Sequence, residues 1–280
     1  MSENAPRLME RDRAAALGLE TVVILERGNY QSASGMVVDL RDLLRRAVEH
    51  TRSYTPEEAL SPVPPGEKMT CFEVVNETTL EAARRLVEAG SRPLALNFAS
   101  ALHPGGGFLI GARAQEESLA RSSGLYACLE GNPFYAFHKA QNDALYSDYA
   151  IYSPDVPVIR RDDGTLLEEP FCCSILTCAA VNANHLLWGD TSRKGEIRPA
   201  MDRRIRRVLA LAVHHGHDTL ILGAWGCGAF GNDTEEIAAL FRDALTGDFR
   251  GVFARVVFAV LDWSDDRHFI GPFQRAFGGK

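Results

Sequence analysis

From residue 70 onward the sequence alternates short apolar runs with longer amphipathic ones, and that rhythm leaves few folds open. Residues 93–98 (PLALNF) are almost continuously apolar, as expected of a strand buried on both faces. Further strands are expected at 70–75, 156–160, 171–177, 218–225 and 252–261. Helices are expected at 77–89, 115–129, 197–214 and 269–277, and Asp233 with Glu236 resembles a capping box opening another. Strands interleaved with helices predict an α/β fold: a mixed or parallel sheet with helices on both faces. A length of 280 residues suits one such unit with extra terminal segments.

Residues 1–65 read as an N-terminal, largely helical extension packed on a core of residues 66–280. Within it a helix is expected at 6–17, a β-branched strand at 21–26 (TVVILE) ended by Gly28, and a short apolar run at 36–40. A helix at 42–50 should turn Leu43, Leu44 and Val48 inward, and a Pro-rich loop follows at 61–68. The aromatic stretch 134–152 is expected to be loop-rich with a strand near its end. Asp162-Asp163-Gly164 reads as a hairpin turn, not a metal site.

The formal charge of −7 argues against a protein that holds nucleic acid through its phosphates. The one basic run, Arg203 to Arg207, is expected to be a solvated helix face. The six cysteines show no metal-binding or CxxC spacing and read as thiols in a reducing compartment. The polar start has no signal-peptide character and no apolar run reaches the length of a membrane span, so a cytoplasmic location is expected. His214, His215 and His217, at a helix end, are expected to be structural.

Two glycine loops follow expected strands, where open α/β sheets bind ligands. One holds His103, Gly105, Gly106 and Gly107; the other runs through Gly226, Cys227, Gly228, Ala229, Phe230, Gly231 and Asn232. Glycines let backbone N–H groups approach an anion, and the second loop runs into a helix N-terminus as well. Neither carries the Lys-Ser/Thr of a Walker loop, and neither matches the dinucleotide fingerprint. Each alone could be a tight turn; two together suit a diphosphate. Cys227 has no evident His partner and reads as a small residue in a tight loop.

Gln115, Glu116 and Glu117 open the helix after the first loop. Acidic residues at a helix start commonly do no more than complement its dipole. Beside a bound diphosphate, however, like charge favours the protonated carboxyl, the form that can protonate a leaving oxygen.

The string GGGFLIGARAQEESLARSS resembles the signature of poly(ADP-ribose) glycohydrolases: a triple glycine, a spacer of seven residues here, then QEE. LNFASALHPGGG, ILGAWGCGAFGND and ETVVILERGNY are similar in order to the microbial branch, a compact macrodomain with an N-terminal extension. The resemblance implies that the second loop holds the diphosphate of ADP-ribose and that Phe230 packs on its ribose and adenine side. It implies that Asn97 bonds a ribose hydroxyl, that Glu116 orients the ribose and that Glu117 is the general acid on the ribose–ribose bond. Val75, Asn76 and Glu77, after the expected strand at 70–75, are placed for adenine contacts, although Asn76 could equally be a helix N-cap. No metal or cofactor is implied; the partners are poly(ADP-ribose), ADP-ribose and poly-ADP-ribosylated proteins. Two other readings remain at this point: a non-catalytic ADP-ribose-binding macrodomain, and a hydrolase of protein-linked mono-ADP-ribose. The two carboxylates favour an enzyme, because a reader of a dianionic ligand has no use for them.

Overall fold

A computed structural model describes residues 9–278. In chain order its elements begin with helix α1 (Arg11–Arg27), strands β1 (Asn29–Gln31) and β2 (Val37–Asp39), α2 (Arg41–Glu49), β3 (Arg52–Tyr54), β4 (Cys71–Val75), α3 (Thr79–Glu88) and β5 (Leu94–Phe98). A single 3-10 turn (Phe108–Ile110) precedes α4 (Gln115–Ser122), α5 (Leu125–Leu129) and α6 (Pro133–Gln141). The long strands β6 (Ala150–Arg160) and β7 (Leu166–Cys178) follow, then α7 (Ala183–Leu186) and α8 (Lys194–His214). The chain ends with β8 (Thr219–Leu222), α9 (Thr234–Thr246), β9 (Arg255–Ala259) and α10 (Ile270–Phe277).

Seven strands form one mixed sheet in the order β3-β6-β7-β5-β8-β9-β4. The five from β7 to β4 run parallel, and the β6–β7 hairpin and β3 add antiparallel pairs at one edge. The period-two rule divides each central strand between two cores. Leu94, Leu96, Leu220, Leu222, Val256 and Phe258 face the layer of α8, α9 and α10. Ala95, Ile221 and Val257 face α3 and the helices around it. β3 comes from the N-terminal segment, so the extension contributes an edge strand to the main sheet.

Several expectations are corrected. Residues 21–26 are not a strand but the second half of α1, which ends at Gly28 in the left-handed conformation. Ala14, Gly18, Thr21 and Ile24 are its buried residues, and their helical spacing outweighs the β-branched composition. The early part of the expected helix, residues 6–8, lies outside the described residues. In α2, Leu44 and Ala47 are buried while Val48 faces out. The helix expected at 115–129 breaks at Ser123, where the chain becomes extended and Gly124 N–H bonds to Pro157 O at 2.8 Å. The stretch 134–152 contains α6, started by the Asn132 side chain and Pro133. Asp233 caps α9, but Glu236 does not return the bond; it reaches Arg198 instead.

The basic run is not a uniformly solvated face. Arg204 is fully buried, donating to Asp148, to Ala179 O and to Leu145 O. Cys71 is exposed, and among the described residues no cysteine is paired. His217 and His215 bond the hydroxyls of Tyr152 and Tyr54 at 2.9 and 2.8 Å, as structural groups would. No helix is long and apolar enough to cross a membrane among the described residues.

Candidate active site

β5 and β8 are neighbours, so the two glycine loops that follow them emerge side by side at the carboxyl ends of the strands. A cavity of about 400 Å3 opens there. Gln115, Glu116 and Glu117 line one side, and Gly226, Gly228, Ala229 and Phe230 another.

The Gln115 amide ties α4 to the sheet. Its oxygen accepts Phe98 N–H at 2.9 Å, and its nitrogen donates to Leu96 O at 2.8 Å and Thr79 Oγ1 at 3.1 Å. Both ends of this amide are therefore engaged by protein. With the helix start fixed, Glu116 turns inward and is 3 % exposed. Its Oε2 accepts Ser100 N–H at 2.6 Å and its Oε1 accepts from Asn97 Nδ2 at 3.4 Å. Burial pushes the Glu116 carboxyl up to about 8, helped by the charge of Glu117, while the hydrogen bond from Ser100 pulls the other way. Burial thus favours the protonated form of Glu116. Glu117 Oε1 accepts Gly107 N–H at 2.9 Å, and its Oε2 is buried with no protein partner.

The glycine loop is shaped around these carboxylates. Gly105 and Gly106 both have positive φ. A Cβ on Gly106 would lie 2.3 Å from Glu117 Oε1 and 2.9 Å from Glu116 Oε2. Gly105, Gly106 and Gly107 thus stand behind the two carboxylates rather than on the cavity wall. Asn97 is likewise fully buried behind Glu116, bonded to it and to Thr177 Oγ1 at 3.2 Å.

In the second loop, Asn232 Nδ2 donates to Val181 O at 2.7 Å and Gly226 O at 3.0 Å, closing the turn. Gly226 has positive φ, and a Cβ there would sit 2.5 Å from Ala180 Cβ. Gly231 packs on Asn184, whose Nδ2 donates to Ala229 O at 3.0 Å. Cys227 is buried under the loop, and burial pushes its thiol up to about 12, which leaves it unreactive. The N–H groups of Gly228, Ala229 and Phe230 take no acceptor among the described residues. A run of such amides at a helix approach is an anion site.

The residues after β4 are arranged differently from expectation. Asn76 exchanges hydrogen bonds with the backbone of Asp262 at 2.7 and 2.9 Å, which engages both ends of its amide. The N-cap of α3 is Thr78, with a complete capping box to Glu81. Glu77, not Val75 or Asn76, lines the cavity, with Leu261 and Phe269. Sequence reasoning missed those two residues and Asp162, which lies in the hairpin turn, lines the cavity and accepts Thr78 Oγ1 at 2.7 Å. A carboxylate next to a turn glycine carries no signal of its own; only the register of β6 with β7 brings it there. Among the described residues no cluster of three or more metal-ligating side chains occurs.

Comparisons with known proteins place the fold. A family model described as the microbial-type PARG catalytic domain matches residues 19–161. The chain is similar to a crystal structure of poly(ADP-ribose) glycohydrolase from Thermomonospora curvata, with 51 % identity and a TM-score of 0.89 over 95 % of this chain and 100 % of that one. The same enzyme bound to the inhibitor ADP-HPD matches at 50 % identity and a TM-score of 0.87, over 95 % and 100 %. Poly(ADP-ribose) glycohydrolase from Deinococcus radiodurans in complex with ADP-ribose matches at 42 % identity and a TM-score of 0.79, over 85 % of this chain and 98 % of that one. No curated protein sequence matches significantly. By motif, by fold and by these likenesses, the chain belongs to the family of microbial-type poly(ADP-ribose) glycohydrolases.

Proposed function

We propose that this protein hydrolyses the ribose–ribose O-glycosidic bond of poly(ADP-ribose), working from chain ends and releasing ADP-ribose. The observation that carries the reading is the pairing of Glu116 and Glu117 at one side of a cavity whose other side offers unpaired backbone amides. The diphosphate rests on the N–H groups of Gly228, Ala229 and Phe230, and the Phe230 ring packs along the ribose. Glu77 and Phe269 bound the adenine end. The distal ribose then meets the two carboxylates.

Glu117 is the general acid in this proposal, because its Oε2 has no protein partner and is free to carry the proton to the leaving oxygen. Glu116 keeps its proton through burial and orients a ribose hydroxyl. Asn97 holds Glu116, and the triple glycine holds Glu117. Cleavage passes through an oxocarbenium-like state, and water, deprotonated by the same Glu117, completes the hydrolysis. The carboxylates share one helix and cannot flank the bond from opposite faces, so this is a single-acid site rather than the usual opposed pair. The core from residue 66 onward carries the site, and the described part of the N-terminal extension, residues 9–65, braces it. Poly-ADP-ribosylated proteins are the natural source of substrate.

The test incubates purified protein, and Glu117→Gln, with labelled poly(ADP-ribose) and in parallel with a mono-ADP-ribosylated protein. The expected result is release of ADP-ribose from polymer by the wild type and a loss of at least about 100-fold in Glu117→Gln, with ADP-ribose binding kept. Binding without release by the wild type would make the protein a reader, and release only from the mono-modified protein would make it a hydrolase of that linkage.

A further inference from the structure

Arg121 stands one helical turn after Glu117 on α4, so the two side chains share a face. It is 4 % exposed, yet it forms no ion pair among the described residues. Its guanidinium donates instead to Ala112 O at 3.0 Å and to Ser118 Oγ at 3.4 Å. Buried cations without a partner are rare because desolvation opposes them. One retained beside a catalytic pair has work that a neutral side chain could not do.

The hydrogen bonds show what that work is. Ala112 N–H bonds back to Gly107 O at 3.1 Å, and Gly107 N–H donates to Glu117 Oε1 at 2.9 Å. The path Glu117, Gly107, Ala112, Arg121 is therefore closed by the helix itself. From outside, Thr21 of α1 donates its hydroxyl to Arg121 O at 2.6 Å. The charges that face the guanidinium are Glu117 on the same helix, Asp162 and Arg160 of the β6–β7 hairpin, and Arg113 before α4. Burial pulls Arg121 below the usual arginine range, and Glu117 and Asp162 oppose that pull. Arg160 is itself paired with Glu20 of α1.

We propose that Arg121 is a positioning residue for the proposed hydrolysis, holding Glu117 against the glycine loop through Ala112 and Gly107. This rests on the reading of Glu117 as the acid. A general acid displaced by about 1 Å loses rate on the order of 100-fold, so a looser grip on Glu117 costs kcat, while the loop of Gly228 to Phe230, to which Arg121 makes no hydrogen bond, keeps its affinity.

The experiment compares wild type, Arg121→Met and Arg121→Lys for kcat and KM on labelled poly(ADP-ribose), with ADP-ribose affinity by calorimetry. Arg121→Met should lower kcat roughly 100-fold and keep KM and the ADP-ribose Kd within about threefold. Arg121→Lys, which keeps the charge and the fold but not the two-point grip, should lower kcat about tenfold and so recover part of the loss. If Arg121→Met fails to fold, Arg121→Lys alone decides: full activity would overturn the proposal. A kcat in Arg121→Met within about threefold of wild type, or a kcat loss matched by lost ADP-ribose binding, would overturn it while leaving the assigned reaction standing. A wild type that releases nothing from polymer would overturn the assigned reaction and this role with it.

Discussion

Glu117 holds the N–H of Gly107 through one carboxylate oxygen at 2.9 Å and keeps the other buried and unpartnered. An oxygen that is shielded from water but bonded to nothing is costly unless a ligand completes it. The glycine loop is what allows this arrangement, and it allows no side chain. Gly106 is the tightest point, with positive φ and a would-be Cβ 2.3 Å from Glu117 Oε1.

Gly106→Ala is therefore expected to abolish most activity without unfolding the protein. The added methyl must displace a carboxylate or strain the turn, and a shift of about 1 Å in an acid costs on the order of 100-fold in rate. The check is kcat on labelled polymer alongside the circular dichroism melting curve. Retention of more than a tenth of wild-type kcat would show that the loop does not fix the carboxylates.

Glu116→Gln should stabilise the protein at alkaline pH. The folded-state carboxyl titrates at about 8, above its unfolded value of 4.5. Between those values the native state binds the extra proton, so stability falls as pH rises through the window. A neutral amide removes the dependence. The gain should be absent at pH 4.5 and reach at least about 3 °C in Tm at pH 8.5. Activity should fall in the same variant, because the amide has one accepting oxygen where the carboxyl accepts from both Ser100 N–H and Asn97 Nδ2. Equal melting shifts at both pH values would contradict a buried, protonated Glu116.

Much of this site was legible before any coordinates. The two glycine loops and the QEE pair are sequence-local, and the sheet order simply brings their strands together. What was not legible depended on long-range register. Asp162 reaches the cavity only through the β6–β7 hairpin, and Asn76 is taken by Asp262, 186 residues away. The fold was readable where the apolar period was long, as in β5 and α8. It failed at residues 21–26, where β-branched residues occupy a helix because tertiary contacts decide the matter: Thr21 bonds Arg121 O, and Ile24 packs in one cluster with Tyr30, Leu40 and Leu44.

Asn232→Ala tests the diphosphate loop. Asn232 Nδ2 serves Val181 O and Gly226 O together, so truncation leaves Val181 O without a donor and Gly226 O with only the Asn232 backbone N–H. The expected cost is about 1–3 kcal/mol of stability. ADP-ribose affinity should weaken at least about tenfold, since the amides of Gly228 to Phe230 lose their fixed geometry. Calorimetric titration with ADP-ribose reads this directly, and an unchanged Kd would place the diphosphate elsewhere.

Arg204→Met asks whether the support beneath that loop matters as much as the loop itself. Arg204 is fully buried and bridges Asp148, Leu145 O and Ala179 O. Ala179 precedes Ala180, on which Gly226 packs, and Val181, to which Asn232 bonds. Removing the guanidinium leaves Asp148 with only the exposed Arg203 and leaves two carbonyls unserved. The expected destabilisation is about 3–5 kcal/mol in urea unfolding, the cost of breaking a buried charged network rather than of losing a surface pair. Arg203→Met, at a side chain that is 59 % exposed, should cost less than about 1 kcal/mol. If the two variants melt alike, Arg204 is a solvated cation after all; if only Arg204→Met loses stability and ADP-ribose affinity together, the basic run of α8 is the shelf on which the binding loop rests.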